Sequence, residues 1–472
     1  MLVPLVLLLT TSVSAIKQEF GNYIEEYYND YDDEYLDEIE NRFFVLHAKK
    51  RFHEQLNKRD YDDGDDYFES NMTFNSRLAF FIDIEIGSNN DTVSVLVDTG
   101  SSDFWVAGYG ICESEFYYEN STYDCYDYGY FDADNSSTFT SNNTELLLEY
   151  GDTTVAIGYF GQDDINISNI TVNDVNFGIA NFTNATSGII GIGYETTEST
   201  YFFNTTGSYK YINFPEKLVE DGIINKASYS LYLDEYDNAE ILFGAVDHEK
   251  YIGKLYQYPI VTMNSSDINE PITRIAITLN TISLSNDTEE LIIGDGYIPA
   301  VLDSGTTIAS FPESISEVLA NLLNLTYDYD LDSYYAENCS EIEDIYFNFY
   351  FQGIQYTSPV VSYFADFFYE NGDYLGCVSQ ISSSDDDFII LGDSFLRDMY
   401  MVIDLEDNMA ALAYSNFTNS SISDIEVIID EIPSGVNPSN NKTFGPDNFL
   451  FTYYDSEPVT KSYVPNLATA SV

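Results

Sequence analysis

Two stretches of this 472-residue chain, 205 residues apart, repeat one pattern. Val95-Leu96-Val97-Asp98-Thr99-Gly100-Ser101-Ser102 is answered by Ala300-Val301-Leu302-Asp303-Ser304-Gly305-Thr306-Thr307. In each, an apolar strand runs into Asp, a hydroxyl residue, Gly and another hydroxyl residue. One Asp-Thr/Ser-Gly triplet turns up by composition alone in roughly one chain in five of this length. Two, each behind an apolar strand and one in each half, do not. Each is also followed by a hydrophobic run with glycine: Ser187-Gly188-Ile189-Ile190-Gly191-Ile192-Gly193 after the first, Phe388-Ile389-Ile390-Leu391-Gly392-Asp393 after the second.

The glycine permits a tight turn that exposes the preceding Asp at a strand end, and the hydroxyl residues can donate to its carboxylate. If the two loops face each other across a pseudo-twofold axis, the carboxyls share a proton, because two like charges at hydrogen-bond range cannot both ionise comfortably. One can then take a proton from a water held between them while the other protonates a peptide carbonyl oxygen. That gives amide hydrolysis without a covalent intermediate.

Composition removes the main competitors. With 17 Lys and Arg against 80 Asp and Glu the formal charge is −63, which excludes unaided binding to nucleic acid or to an anionic membrane surface. A hydrophobic content of 44% still supports a sizeable core, so the chain is not a disordered acidic tail. Histidine occurs only as His47, His53 and His248, too few for an imidazole-rich zinc site and awkward for a Ser/His/Asp set. His53-Glu54 begins like a metalloprotease motif, but Asn57 stands where its second His belongs. No metal and no cofactor is expected.

Leu2 to Leu9 is apolar and too short to span a bilayer, and Ser12-Val13-Ser14-Ala15 supplies small residues for a signal peptidase, so residues 1–15 read as a signal peptide. Residues 16–59 read as a pro-segment: an acid- and Tyr-rich stretch, then a basic one from Arg42 to Arg59 that ends at the dibasic Lys58-Arg59. Seven of the 17 basic residues lie in these first 59. Cleavage there would leave a mature chain beginning at Asp60. No later segment is apolar for long enough to cross a membrane, and the C-terminus lacks a lipid-anchor tail. Seventeen Asn-x-Ser/Thr acceptors fit export. Four cysteines allow three connectivities, of which Cys112 with Cys125 and Cys339 with Cys377 gives one staple in each half.

Beyond residue 77 short apolar runs bounded by Gly, Asn and Asp predict a mainly β protein, with strands in Ala79–Ile86, Val93–Val97, Ile165–Val175 and Ile272–Ile282. Helices are expected at Pro215–Asp221 and Pro312–Leu325, each opening with Pro. Residues 416–472, with several Pro and three further acceptors, read as a glycosylated, mostly irregular extension.

On these motifs the chain resembles the pepsin-like aspartic proteases over about residues 70–415, and among them the fungal secreted (candidapepsin-like) and yapsin-like enzymes. The resemblance implies an all-β fold of two lobes, here 60–245 and 246–415, and a secreted, monomeric endopeptidase made as a zymogen and acting on polypeptides in acid. It places the catalytic dyad on Asp98 and Asp303. Ser101 and Thr306 match the hydroxyls on the outer carboxylate oxygens, Thr99 and Ser304 the pair that interlocks the loops, and Gly100 and Gly305 the turn positions. Trp105, the only Trp, matches the indole that bonds a flap tyrosine. The flap falls on the hairpin Glu145–Phe160, with Tyr150-Gly151-Asp152 as its tip; Thr153-Thr154 follows where fungal relatives usually carry Gly-Ser or Gly-Thr. Two other readings stand beside this one: a processing protease selective for Lys or Arg, as in yapsin-like relatives, and a non-catalytic glycoprotein that keeps the fold to bind peptides.

Overall fold

In the computed structural model the described residues run from 68 to 461, apart from 76–78, 114–122, 152, 169, 201–208, 234–238, 266–269, 330–332, 369–373, 418–422 and 455–458. The expected signal peptide, pro-segment and cleavage site at Lys58-Arg59 lie outside them, as does Asp152.

The fold is all-β and bilobal, and its strands are built from the alternating and continuous apolar runs of the sequence. A 13-stranded sheet carries the first lobe, and a 9-stranded sheet the second. Strand Asp91–Asp98 lies antiparallel to Ala79–Ile86, and its inward Val93, Val95 and Val97 are fully buried. Burying each such side chain stabilises by about 1.5–3 kcal/mol, so register on this strand is strongly fixed.

Both glycine-containing runs pair where the repeat demands. Gly188–Gly191 runs parallel to Val95–Asp98, and Ile389–Leu391 runs parallel to Ala300–Leu302. Each Asp is thereby held at the end of a strand flanked on both sides.

Three expectations change in detail. The run Ile165–Val175 is not one strand but the end of Val155–Ile167 and the start of Ile170–Thr183, joined at register Ile167↔Ile170. Ser168 sits at φ 46° in that reversal, a left-handed conformation that periodicity does not reveal. The division at 245/246 falls inside a sheet, because Tyr251–Pro259, Met399–Asp404 and Met409–Ser415 continue the 13-stranded sheet beyond Ser228–Tyr232 and Ala239–Phe243. Beyond residue 415 much of the chain is irregular yet docked. Ile425–Val427 pairs with Ala245–Asp247, and Phe451–Tyr453 and Val459–Lys461 pair with Glu290–Leu302, covering the open edge of the strand that leads to Asp303. His248 joins this docking by bonding Tyr251 Oη and Glu426 Oε2.

The two helices form at Phe214–Glu220, capped by Asn213, and at Glu313–Leu322. Disulfides join Cys112 to Cys125 and Cys339 to Cys377. No helix among the described residues is long and apolar enough to cross a membrane.

Candidate active site

The two repeated loops meet. Thr99 N–H donates to Ser304 Oγ (3.1 Å) and Ser304 N–H donates to Thr99 Oγ1 (2.9 Å). Each hydroxyl in turn donates into the opposite strand, Thr99 Oγ1 to Leu302 O (2.9 Å) and Ser304 Oγ to Val97 O (2.8 Å). These four bonds obey the twofold relation that the repeat announced. Removing one hydroxyl orphans a buried N–H and a carbonyl at once. Ser304→Ala is therefore expected to lower the unfolding free energy by about 1–3 kcal/mol, read as a shifted midpoint in denaturant.

Within each loop the carboxylate is cradled the same way. Gly100 N–H donates to Asp98 Oδ1 (2.7 Å) and Gly305 N–H to Asp303 Oδ1 (2.9 Å). Ser101 Oγ donates to Asp98 Oδ2, and Thr306 Oγ1 to Asp303 Oδ2 (2.9 Å). The turn glycines are required by crowding from the far side: a Cβ on Gly100 would fall inside the Asp303 carboxyl, and one on Gly305 inside that of Asp98. The carboxyls thus face each other across backbone that has no side chain to separate them.

Burial pushes the Asp98 carboxyl up to about 7, and the neighbouring Asp303 carboxylate adds to the rise. The hydrogen bonds from Ser101 and Gly100 oppose it. A pair in this state holds one proton between two oxygen clusters well above the ordinary carboxylic range.

The hairpin Thr140–Glu149 and Val155–Ile167 has Tyr150 and Gly151 in its turn. Trp105, fully buried, donates its indole N–H to Tyr150 Oη at 2.8 Å, which joins this hairpin to the strand just beyond the first loop.

Some carboxyls drew no role from the sequence. Asp393, in the quoted Leu-Gly-Asp run, is buried behind the dyad, and neither of its oxygens has a hydrogen-bond partner among the described residues. Burial raises it well above the usual carboxylate range, Arg397 opposing and the Asp303 and Asp98 charges adding to the rise. Asp103, five residues past Asp98, is buried and accepts from Tyr211 Oη (2.5 Å) and from Ser199 N–H (2.7 Å), and Glu198 is buried close enough to raise its own pKa through the Asp103 charge. The only sequence hint was a carboxyl set in a run of hydroxyl and aromatic residues.

Residues 79–415 match the family described as eukaryotic aspartyl protease. The chain is 32% identical to aspartic proteinase 3 of Saccharomyces cerevisiae, over 86% of this chain and 82% of that protein. It is 35% identical to the aspartic proteinase yapsin-3 of the same yeast, over 78% of this chain and 72% of the relative. Candidapepsin of Candida tropicalis is 33% identical over 74% of this chain and 82% of its own length. A binding glycoprotein without catalysis would have no need of two carboxyls locked face to face, and similarity of this extent points the same way. The chain belongs to the eukaryotic aspartyl protease family and is an aspartic-type endopeptidase.

Proposed function

We propose that Asp98 and Asp303 are the catalytic pair, working on peptide bonds at acidic pH in a secreted enzyme made as a zymogen. The observation that carries this reading is the mutual cradle of the two carboxyls, each bonded by its own Gly N–H and hydroxyl and each abutting the glycine of the other loop. One carboxylate takes a proton from the attacking water while the protonated partner gives its proton to the carbonyl oxygen, forming a neutral gem-diol. The carboxyl that took the water's proton then gives it to the leaving nitrogen as the C–N bond breaks, while the other carboxylate takes a proton from one gem-diol hydroxyl, which releases acid and amine and restores the starting protonation of each member of the pair. Thr99 and Ser304 hold the loops together, and Tyr150 with Gly151 covers the substrate while Trp105 steadies the tyrosine.

Acid operation is supported by the buried carboxyls. Asp98 keeps a proton up to about 7 and Asp103 up to about 6, so both the dyad and its surroundings favour low pH. Secretion is supported by the apolar leader, the glycosylation acceptors and the two disulfides, and a relative in Candida albicans is named secreted aspartic protease 4. The basic stretch Arg42–Arg59 is opposite in charge to a chain of net charge −63, and its removal at Lys58-Arg59 would activate the chain.

A peptide-library cleavage profile between pH 2 and 7, with and without a statine-type transition-state mimic, tests the reading. Cleavage that is greatest in acid and blocked by the mimic is expected. Turnover unaffected by the mimic would remove the dyad mechanism, and a profile confined to Lys or Arg beside the cut would assign the basic-selective variant.

A further inference from the structure

The flap turn closes with Tyr150 N–H donating to Thr154 O (2.8 Å) and Thr153 N–H donating to Tyr150 O (3.0 Å). Thr153 has φ 68°. That left-handed conformation disfavours any residue with a Cβ, and a β-branched one most of all. The turn must therefore be held by something outside its own sequence.

Asn184 holds it. This exposed residue follows the strand Ile170–Thr183, and its Oδ1 accepts from Val155 N–H at 2.7 Å while its Nδ2 donates to Thr153 O at 3.3 Å. Its neighbour Thr183 donates Oγ1 to Val155 O at 2.6 Å and accepts from Ala185 N–H at 2.9 Å. Both backbone polar groups of Val155 and the carbonyl of the strained Thr153 are thus bonded by two consecutive residues. The side-chain amide bridges the base of the turn, where a glycine in place of Thr153 would need no such support.

We propose that Asn184 is a positioning residue for the flap: its amide clamps Thr153 and Val155, fixes the turn in its left-handed form, and so keeps Tyr150 at its bond with Trp105. The proposal rests on reading this hairpin as the substrate-covering flap. Being exposed, Asn184 can be truncated without hollowing the core. It also opens the acceptor Asn184-Ala185-Thr186, so its substitution removes a glycosylation signal along with the clamp. Thr186→Ala removes the signal alone and serves as the control.

Peptide-cleavage kinetics on the full-length chain, processed as it is made, test this. Asn184→Ala is expected to lower kcat/KM about tenfold, as for one to two lost hydrogen bonds, mainly by raising KM. Thr186→Ala should match the wild type. Adding Thr153→Gly to Asn184→Ala should recover most of the loss, because glycine adopts the turn unaided. An unchanged Asn184→Ala, an equal loss in Thr186→Ala, or no rescue by Thr153→Gly would each overturn the proposal. If the wild-type chain cleaves no peptide, the flap reading of this site fails, and the clamp is judged by amide hydrogen exchange. In that case Val155 must exchange at least about tenfold faster in Asn184→Ala than in Thr186→Ala, again the scale of one lost bond; equal rates overturn the clamp.

Discussion

Asp98→Asn and Asp303→Asn are each expected to lower kcat/KM for peptide cleavage by about a thousandfold or more, with the fold intact. Each amide has the size of the carboxyl it replaces, and its oxygen can still accept from the Gly100 or Gly305 N–H. Replacement also removes the like-charge contact that burial makes costly at Asp98. What is lost is chemical. An amide can neither take the proton of a water nor deliver one to a carbonyl oxygen, and acid–base catalysis by one placed group is worth about a hundredfold to ten thousandfold. Unfolding temperature and near-ultraviolet dichroism serve as the control for fold. Cleavage within tenfold of wild type in either variant would remove the dyad from the reaction.

Stability is expected to fall as pH rises from about 4 to about 8, with Glu198 as a leading contributor. Burial first, then the charges of Asp103, Glu195 and Glu216, pushes Glu198 up to about 9, and one of its oxygens has no hydrogen-bond partner among the described residues. Burial likewise raises Asp103 to about 6 and Glu216 to about 7. The groups that act on them are Tyr211 and Ser199 at Asp103; Asp103, Glu195, Glu216 and the Tyr211 backbone at Glu198; and Glu195 and Glu406 at Glu216, none of which supplies positive charge. In the unfolded chain these carboxyls lose their protons near 4, whereas the folded chain keeps them bound. The folded state therefore binds more protons across this window. Its stability is fully present below about 4 and is lost as pH climbs through 6 for Asp103, 7 for Glu216 and 9 for Glu198.

Ionisation there acts close to the dyad. Asp103 lies on the first carboxyl loop, and Ser102 beside it bonds Tyr194 O and Thr197 Oγ1, in the turn that leads to Glu198. Glu198→Gln removes the largest rise among these three carboxyls. Its melting temperature relative to wild type should improve by roughly 2–4 °C or more between pH 4 and pH 7.5, measured by calorimetry. A difference that does not change with pH would show that Glu198 does not drive the loss.

Much of the site was legible because its pattern is local. An apolar strand that ends in Asp-Thr-Gly-Ser or Asp-Ser-Gly-Thr carries its own turn and its own hydroxyl donor, and Ser101 and Thr306 take those bonds within three residues of their Asp. The Tyr150-Gly151 turn and the near-neighbour cysteine pairs are local in the same sense. The run Ile165–Val175 shows the limit, since its apolar spacing is as compatible with one strand as with two joined by a left-handed Ser168. Asn184 shows another. An Asn in an acceptor triplet reads as a surface signal, and only its position beside Thr153 and Val155 gives it a structural task.

The sequence by itself determined that the chain makes strands and carries two Asp-hydroxyl-Gly-hydroxyl turns, because periodicity and turn chemistry act over a few residues. Tertiary structure alone decided that Thr99 grips Ser304, that the second half lends three strands to the first lobe's sheet, and that Asp98, Asp103 and Glu198 hold protons unusually tightly. Those properties depend on burial and on distances between residues far apart in the chain, which are fixed only when the lobes pack.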